Sequence, residues 1–328
     1  MRYIGRKEIA QLISMREVME LMREVFCEVS KGTVVMPPRA VVELNNRSDT
    51  VLFMPGYVPH SRGIGVKIVS VFSHNAASGM PTISALIVLM NPETGGVLSV
   101  MEGGYITALR TGATSGVATD LLARSDDVRR LGIFGSGAQA WTQIAAILEV
   151  RPIREVSVYS RDKDRSRDFV MALRKQYGPR AQFEVADSPE KAVSQADIVV
   201  TATTSETPVF DGTLLREGTH INSIGSFKPQ VREVDDHTVR RSRIFVDSRD
   251  ACLHEAGDLL IPIEKGVISR SDIRAELGEL LLARKPGRES DRDITYFKSV
   301  GMSVQDIVVA ERIHAKAVEQ NVGQMVGD

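Results

Sequence analysis

A chain of 328 residues carries an expectation of about two domains, and its 43% hydrophobic content is enough to build a core for each. The net charge of −1 and an aromatic content of 5%, with no basic stretch interleaved with aromatic residues, exclude a nucleic-acid tracking surface. No apolar run reaches membrane-span length and the amino terminus lacks a signal-peptide core, so a cytoplasmic protein with no membrane partner is expected.

The first predicted element is a helix from Met15 to about Ser30. Ser14 and Glu17 form a capping box, Val18, Met19, Met22, Val25, Phe26 and Val29 make one apolar face, and Gly32 ends it. The pattern then turns to strands at residues 41–44, 50–54, 63–72 and 82–90, which predicts a strand-rich domain. A helix follows from near Gly104, and its small residues over 107–116 would let another backbone or a ligand come close.

At residues 131–134 an apolar strand runs into Gly135-Ser-Gly137-Ala-Gln-Ala140 and then into a helical pattern, which is a dinucleotide-binding fingerprint. Gly135 permits the tight turn, Gly137 lets backbone N–H groups approach a pyrophosphate, and Ala140 packs the helix on its strand. The phosphates would sit at the helix N-terminus. Strand, helix and strand at 155–160, 162–177 and 182–186 complete a βαβ unit. Ser188-Pro189 starts a further helix, residues 197–203 form a buried strand, and two more strands at 220–225 and 243–247 would complete a doubly wound sheet. Ligands bind such sheets at the carboxyl ends of the strands. Thr203, Thr204 and the turn Asn222-Ser-Ile-Gly225 lie there, although hydroxyl and Gly residues at such places also serve as ordinary turn formers.

The second strand of the unit ends in Ser160 and Arg161, where an NAD site usually has Asp or Glu for the ribose hydroxyls. A hydroxyl and a guanidinium can bind a 2'-phosphate, and Lys163 and Arg165 add positive charge, so NADP(H) is the expected cofactor. NAD(H) stays open, because Asp162 can reach a ribose and the three cations can equally be a solvated helix start.

Three cations stand in unusual company: Arg39 after Met36-Pro-Pro38, Lys67 in an apolar strand, and Arg110 in Leu109-Arg-Thr-Gly112. Charges in apolar surroundings need anionic partners. Arg39 follows two residues of fixed backbone angle and could meet a carboxylate bidentately. Lys67 could donate to a carbonyl, imine or carboxylate, and burial would lower its pKa toward proton transfer. Each also has a plainer reading, a Lys pointing to water or an Arg bridging two domains. Cys27 and Cys252 are far apart and the six His residues are dispersed, so neither a disulfide framework nor a metal site is expected.

With these motifs on the page, the chain resembles the ornithine cyclodeaminase and mu-crystallin family. The resemblance is carried, in order, by Met36-Pro-Pro-Arg39, Gly65-Val-Lys67, Ala108-Leu-Arg-Thr-Gly-Ala-Thr114, Gly135-Ser-Gly-Ala-Gln139, Asn222-Ser-Ile-Gly225, Glu255-Ala-Gly-Asp258 and Lys298-Ser-Val-Gly301. It implies an α/β fold, a Rossmann-type doubly wound parallel sheet domain at 123–303 and a strand-rich α+β substrate and dimerisation domain at 1–122 plus 304–328. Ser303 and Asp306 would cap the last helix, and the chain would form a homodimer. By the same resemblance Arg39 and Lys67 would bind the substrate carboxylate and reacting group, and Thr82, Arg110 and Thr111 would touch the cofactor from the substrate domain. Arg110, Phe227 and Val300 are further expected substrate neighbours. Ala138 and Gln139 would lie on the pyrophosphate, Ser160 and Arg161 on the adenosine ribose, and Thr203, Asn222, Ser223, Ile224 and Gly225 along the nicotinamide half. Ser299 would stand beside the ring.

One departure matters. Cyclodeaminases and archaeal alanine dehydrogenases of this family carry an Asp two residues beyond the glycine of the Asn-x-x-Gly turn, where this chain has Phe227. Phe cannot exchange a proton, whereas reduction of a preformed cyclic imine needs one hydride at carbon and one proton at nitrogen. The expectation is therefore NADPH-dependent reduction of a pyrroline- or piperideine-2-carboxylate, with Lys67 and Arg39 as the catalytic pair and a small imino or amino acid as partner. An alanine dehydrogenase-like enzyme, a redox-neutral cyclodeaminase or hydroxyproline dehydratase, and an NADPH-dependent small-ligand binding protein are the alternatives.

Overall fold

Alternating side chains over residues 50–71 and 83–102 leave one apolar face to be covered, and the computed structural model, which describes residues 1–44 and 49–327, shows what covers it. The chain divides into two units, Met1–Arg110 with Met302–Asp328, and Thr111–Gly301. The first break falls inside the helix Gly103–Leu122, and the return falls just before the last helix, Ser303–Glu319.

In the first unit the described residues form a seven-stranded sheet. Its order is Gln324–Met325, Arg2–Ile4, Val97–Glu102, Ile83–Met90, Gly63–Val71, Thr50–Val58 and Ala40–Glu43. All neighbours are antiparallel except Arg2–Ile4 with Val97–Glu102. Met54, Lys67 and Ile87 share one cross-strand row and are buried. Their strands pack against Ser303–Glu319, which in turn packs on Met15–Lys31. The next row, Phe53, Ile68 and Leu86, alternates to the opposite face, as the two-residue period requires. The helix Met15–Lys31 has the expected capping box, with the Ser14 hydroxyl accepting from the Glu17 backbone N–H at 3.3 Å, and ends at Gly32 with φ of 73°.

The expected cap of the last helix is corrected. Met302 occupies the N-cap position, the Ser303 hydroxyl donates to the Pro55 carbonyl at 2.7 Å, and Asp306 turns inward, fully buried. A Ser-x-x-Asp spacing suits a cap, but a buried ammonium across the core needs that carboxylate more than the neutral helix N–H groups do. The strands Val97–Glu102, Arg2–Ile4 and Gln324–Met325 and the helix Arg6–Leu12 were not among the expected elements.

The second unit contains an eight-stranded, wholly parallel sheet over the described residues. Its order is Ile273–Glu276, Ser242–Val246, Ile294–Lys298, His220–Ser223, Ile198–Thr201, Arg130–Phe134, Glu155–Tyr159 and Gln182–Val185. The strands expected to complete it at 220–225 and 243–247 are not neighbours, because Ile294–Lys298 inserts between them. The chain starts at Arg130–Phe134, steps outward twice, and resumes on the other side at Ile198–Thr201, so the topological switch point lies between those two strands. Gly135 turns the chain there with φ of 114°, where a Cβ would run into the Ala202 carbonyl oxygen. Among the described residues no helix is long and apolar enough to cross a membrane.

Candidate active site

In the first unit a β-strand lysine and a helix carboxylate meet in the core. Lys67 Nζ donates to Asp306 Oδ2 at 2.6 Å, and Thr107 Oγ1 and Arg110 Nε donate to Oδ1 at 3.1 and 3.3 Å. Arg110 Nη1 also donates to Gln305 Oε1 at 3.1 Å. Lys67 is 3% exposed and Arg110 6%. Burial lowers the Lys67 pKa to about 8; Asp306 resists that shift, whereas the charges of Arg110 and Arg39 add to it. For Asp306 burial opposes ionisation, but Lys67 and Arg110 together hold its carboxyl below the usual range. Lys67 and Arg110 both pair with the Asp306 carboxylate, and Arg39 is close enough to act on Lys67. Arg39 is half-buried after Pro37 and Pro38. Thr82 precedes the strand Ile83–Met90, and its carbonyl accepts from Phe72 N at 2.8 Å. It is not part of the Asp306 hydrogen-bond network. Asp306 was missed as a site residue, and its sequence signal is an acidic residue set among Val304, Ile307, Val308 and Val309 in the last helix.

In the second unit the helix Ala138–Val150 starts at Gly137 with no side-chain cap, so its first N–H groups have no side-chain acceptor. A Cβ on Gly137 would meet only Arg165 Nη2, at 3.9 Å, and the Gln139 Oε1 atom is buried without a partner. An open cradle of uncapped N–H groups beside a guanidinium fits a pyrophosphate. Thr111 belongs to this unit and is buried, its carbonyl accepting from Gln143 Nε2 at 3.3 Å. Ser160 is half-buried and Arg161 exposed, directly beyond the strand Glu155–Tyr159. Their neighbours are otherwise engaged: Asp162 Oδ1 caps the next helix by accepting from Arg165 N at 3.0 Å. Lys163 Nζ donates to the carbonyls of Ala186 and Asp187 at 3.1 and 2.9 Å. Of the three cations expected near a ribose phosphate, Arg161 is exposed directly beyond the strand, Lys163 is engaged by two carbonyls, and Arg165 lies beside Gly137.

The carboxyl ends of the central strands are held from behind by buried acids. Glu233 accepts from Thr203 N at 2.7 Å and Thr203 Oγ1 at 2.6 Å through Oε1, and from Thr201 Oγ1, Gly225 N and Ser226 N at 3.0, 2.7 and 3.2 Å through Oε2. Asp247 accepts from Ser299 Oγ, Val300 N and Gly301 N at 2.7, 2.9 and 2.7 Å. Asn222 Nδ2 donates to Thr119 Oγ1 at 3.0 Å, while its Oδ1 lies 3.3 Å from His220 Nε2. Burial and the Arg288 charge push the His220 pKa down to about 3, so this ring is neutral. Ser223 and Ile224 are buried within the same turn, Val300 packs on the core, and Phe227 is 36% exposed. Glu233 and Asp247 were not foreseen; an acid directly after an apolar strand, as Asp247 is after Ser242–Val246, is the signal that could have found the second.

Comparison with known proteins agrees with this geometry. The ornithine cyclodeaminase/mu-crystallin family matches residues 4–321. The chain is 38% identical over 327 residues to a Δ1-pyrroline-2-carboxylate reductase of Bacillus cereus, covering 99% of each protein. It is 41% identical to the Δ1-pyrroline-2-carboxylate reductase of Thermococcus litoralis, solved in complex with NADH and L-proline, with a TM-score of 0.96 over 99% of this chain and 100% of that one. An archaeal alanine dehydrogenase dimer with bound NAD superposes with a TM-score of 0.92 at 34% identity, over 99% of this chain and 98% of that one. A match over nearly its whole length places this chain in the ornithine cyclodeaminase/mu-crystallin family.

Proposed function

We propose that this protein reduces a cyclic ketimine 2-carboxylate, Δ1-pyrroline-2-carboxylate or Δ1-piperideine-2-carboxylate, to L-proline or L-pipecolate, with NADPH as the preferred reductant. Its class is that of an NAD(P)H-dependent oxidoreductase acting on C=N and CH–NH groups. The observation that carries the finer reading is the buried Lys67–Asp306–Arg110 cluster, where two cations share one carboxylate and the ammonium titrates at about 8. Arg39, which follows two prolines of fixed backbone angle, holds the substrate carboxylate bidentately. Lys67 is largely protonated at neutral pH and gives its proton to the ring nitrogen, directly or through a water, as the C=N bond becomes CH–NH. Asp306 stays ionised throughout and keeps the Lys67 amine in place. The bound reduced nicotinamide supplies the hydride. At the position of the turn acid stands Phe227, which can neither accept nor donate a proton, and this weighs against redox-neutral cyclodeamination.

Arg161 supports the NADPH preference, being an exposed guanidinium beside Ser160 at the end of the second strand with no carboxylate in that place. Assembly is proposed as a homodimer built on the first unit. The sheet face opposite Lys67 carries Phe53, Ile68 and Leu86 in register, with Phe53 38% and Leu86 45% exposed, and exposed Val42 on the same face through its pairing with Val51. An apolar sheet face of this kind suits a second copy of itself.

The test is oxidation of NADPH and of NADH with each cyclic imine, beside pyruvate plus ammonia. Rapid NADPH loss with a cyclic imine and none with pyruvate plus ammonia is the expected result. Turnover that depends on ammonia points to an amino acid dehydrogenase, and turnover of an amino acid without added nicotinamide points to a lyase; either outcome defeats the proposal.

A further inference from the structure

Lys298, Glu233 and Asp258 are sealed together at the carboxyl end of the parallel sheet, all 0% exposed. Lys298 Nζ lies 2.7 Å from Asp258 Oδ2 and donates to the Ser226 carbonyl and hydroxyl at 2.7 and 3.0 Å. Asp258 also accepts from the backbone of Glu233 and Val234 at 2.7 and 3.1 Å, and from the Ser226 hydroxyl. Glu233 receives backbone N–H groups on both of its oxygens, from Thr203 on one and from Gly225 and Ser226 on the other. A backbone N–H can only donate, and three such donors on one carboxyl favour its ionised form. Burial and Asp258 raise the Glu233 pKa, while Lys298 and Thr203 oppose that rise. Two carboxylates against one ammonium leave a single negative charge in excess.

That excess lies under a particular part of the wall. Thr203 and Gly225 follow the strands Ile198–Thr201 and His220–Ser223, on the far side of the switch point from the βαβ unit that carries the Gly135 fingerprint. The two turns touch, since a Cβ on Gly225 would strike the Thr203 carbonyl oxygen, and Glu233 ties them together. In a doubly wound sheet the second half of a dinucleotide lies over these strands. Its nicotinamide ring is a cation when oxidised and neutral when reduced, so a fixed buried charge nearby acts on one form and not on the other. We propose that Glu233 is a positioning residue of the nicotinamide site, and that the negative charge it leaves buried beneath Thr203 and Gly225 strengthens binding of the oxidised ring relative to the reduced one. The inference rests on the nicotinamide cofactor alone and not on the identity of the imine.

A brace without this electrostatic role would weaken both forms alike when lost. The test is therefore the ratio of dissociation constants for NADP+ and NADPH, and for NAD+ and NADH, measured by titration of the purified protein without substrate. Glu233→Gln is expected to raise the ratio of oxidised to reduced constants about tenfold. Asp258→Asn removes the same unit of charge by a different residue, and is the second variant should Glu233→Gln not fold. It is expected to move the ratio in the same direction. Glu233→Asp keeps the charge and should weaken both forms with the ratio unchanged. A folded Glu233→Gln or Asp258→Asn protein with the wild-type ratio overturns the proposal even where affinity falls. A wild-type chain that binds no nicotinamide nucleotide overturns both this inference and the cofactor reading beneath it, whereas a failure of the imine assay with the ratio shift intact leaves this one standing.

Discussion

Each of the two units buries a cluster of three charged side chains, and the two clusters are of opposite make-up. In the first unit Lys67 and Arg110 share Asp306; in the second Glu233 and Asp258 share Lys298. Buried ions are costly unless paired. In the proposed reaction the first set suits a substrate carboxylate and the second a cationic ring. The clusters also differ in what holds them. Asp306 is held chiefly by side chains, whereas Glu233 and Asp258 are held largely by backbone N–H groups of the turns they join. The first arrangement leaves an amine able to lose a proton; the second fixes a wall.

The sharpest way to break this comparison is Lys67→Met, which removes the titrating amine. It should lower kcat/KM for the cyclic imine about a thousandfold, while NADPH binding, followed by its fluorescence, stays within about twofold. An equal loss in nucleotide affinity would show that the units do not divide the work in this way. Asp306→Asn comes next. Leaving Lys67 buried without its anion should cost about 3 to 5 kcal/mol of stability in a denaturant titration.

The same variant sharpens the pH argument. Lys67 titrates at about 8, and reduction needs its protonated form, so kcat/KM for imine reduction should be flat at lower pH and fall above about 8. Oxidation of L-proline needs the neutral amine and should rise toward the same pH. Asp306 raises the Lys67 pKa, so Asp306→Asn should move the falling limb to lower pH; a limb that stays in place would mean another group titrates.

A smaller effect is expected from Arg161→Ala, which should raise KM for NADPH about tenfold by removing one charge-assisted contact and leave KM for NADH nearly unchanged. Smallest for catalysis is Leu86→Asp on the exposed sheet face. It should convert the proposed dimer to monomer in analytical ultracentrifugation, and a species of unchanged mass would reject that face as the interface.

How much was legible is clear from particular residues. The Gly135–Gly137 fingerprint, the Ser14 cap and the apolar strand around Lys67 are local patterns, and each forms what its spacing implies. Lys163 and Asp162 show where local reading stops. Both stand beside Ser160 in sequence, but Asp162 is taken up locally as the cap of the next helix, and Lys163 reaches the carbonyls of Ala186 and Asp187, a choice made by a distant strand end. Asp306 shows it more strongly, because its cap-like spacing hides a partner 239 residues away.

The amino-acid sequence by itself determined the strongly patterned strands and helices, though not Arg2–Ile4, Arg6–Leu12, Val97–Glu102 or Gln324–Met325. It also determined where the dinucleotide turn lies, and that Arg39, Lys67 and Arg110 are cations needing anions, since periodicity, glycine placement and charge are properties of short stretches. Only the tertiary structure decided that Ile294–Lys298 separates two strands, that Asp306 holds Lys67, and that Glu233 joins Thr203 to Gly225. These are pairings between distant segments, selected by the cost of leaving a buried charge or backbone group unpaired, and that cost exists only once the core has closed around them.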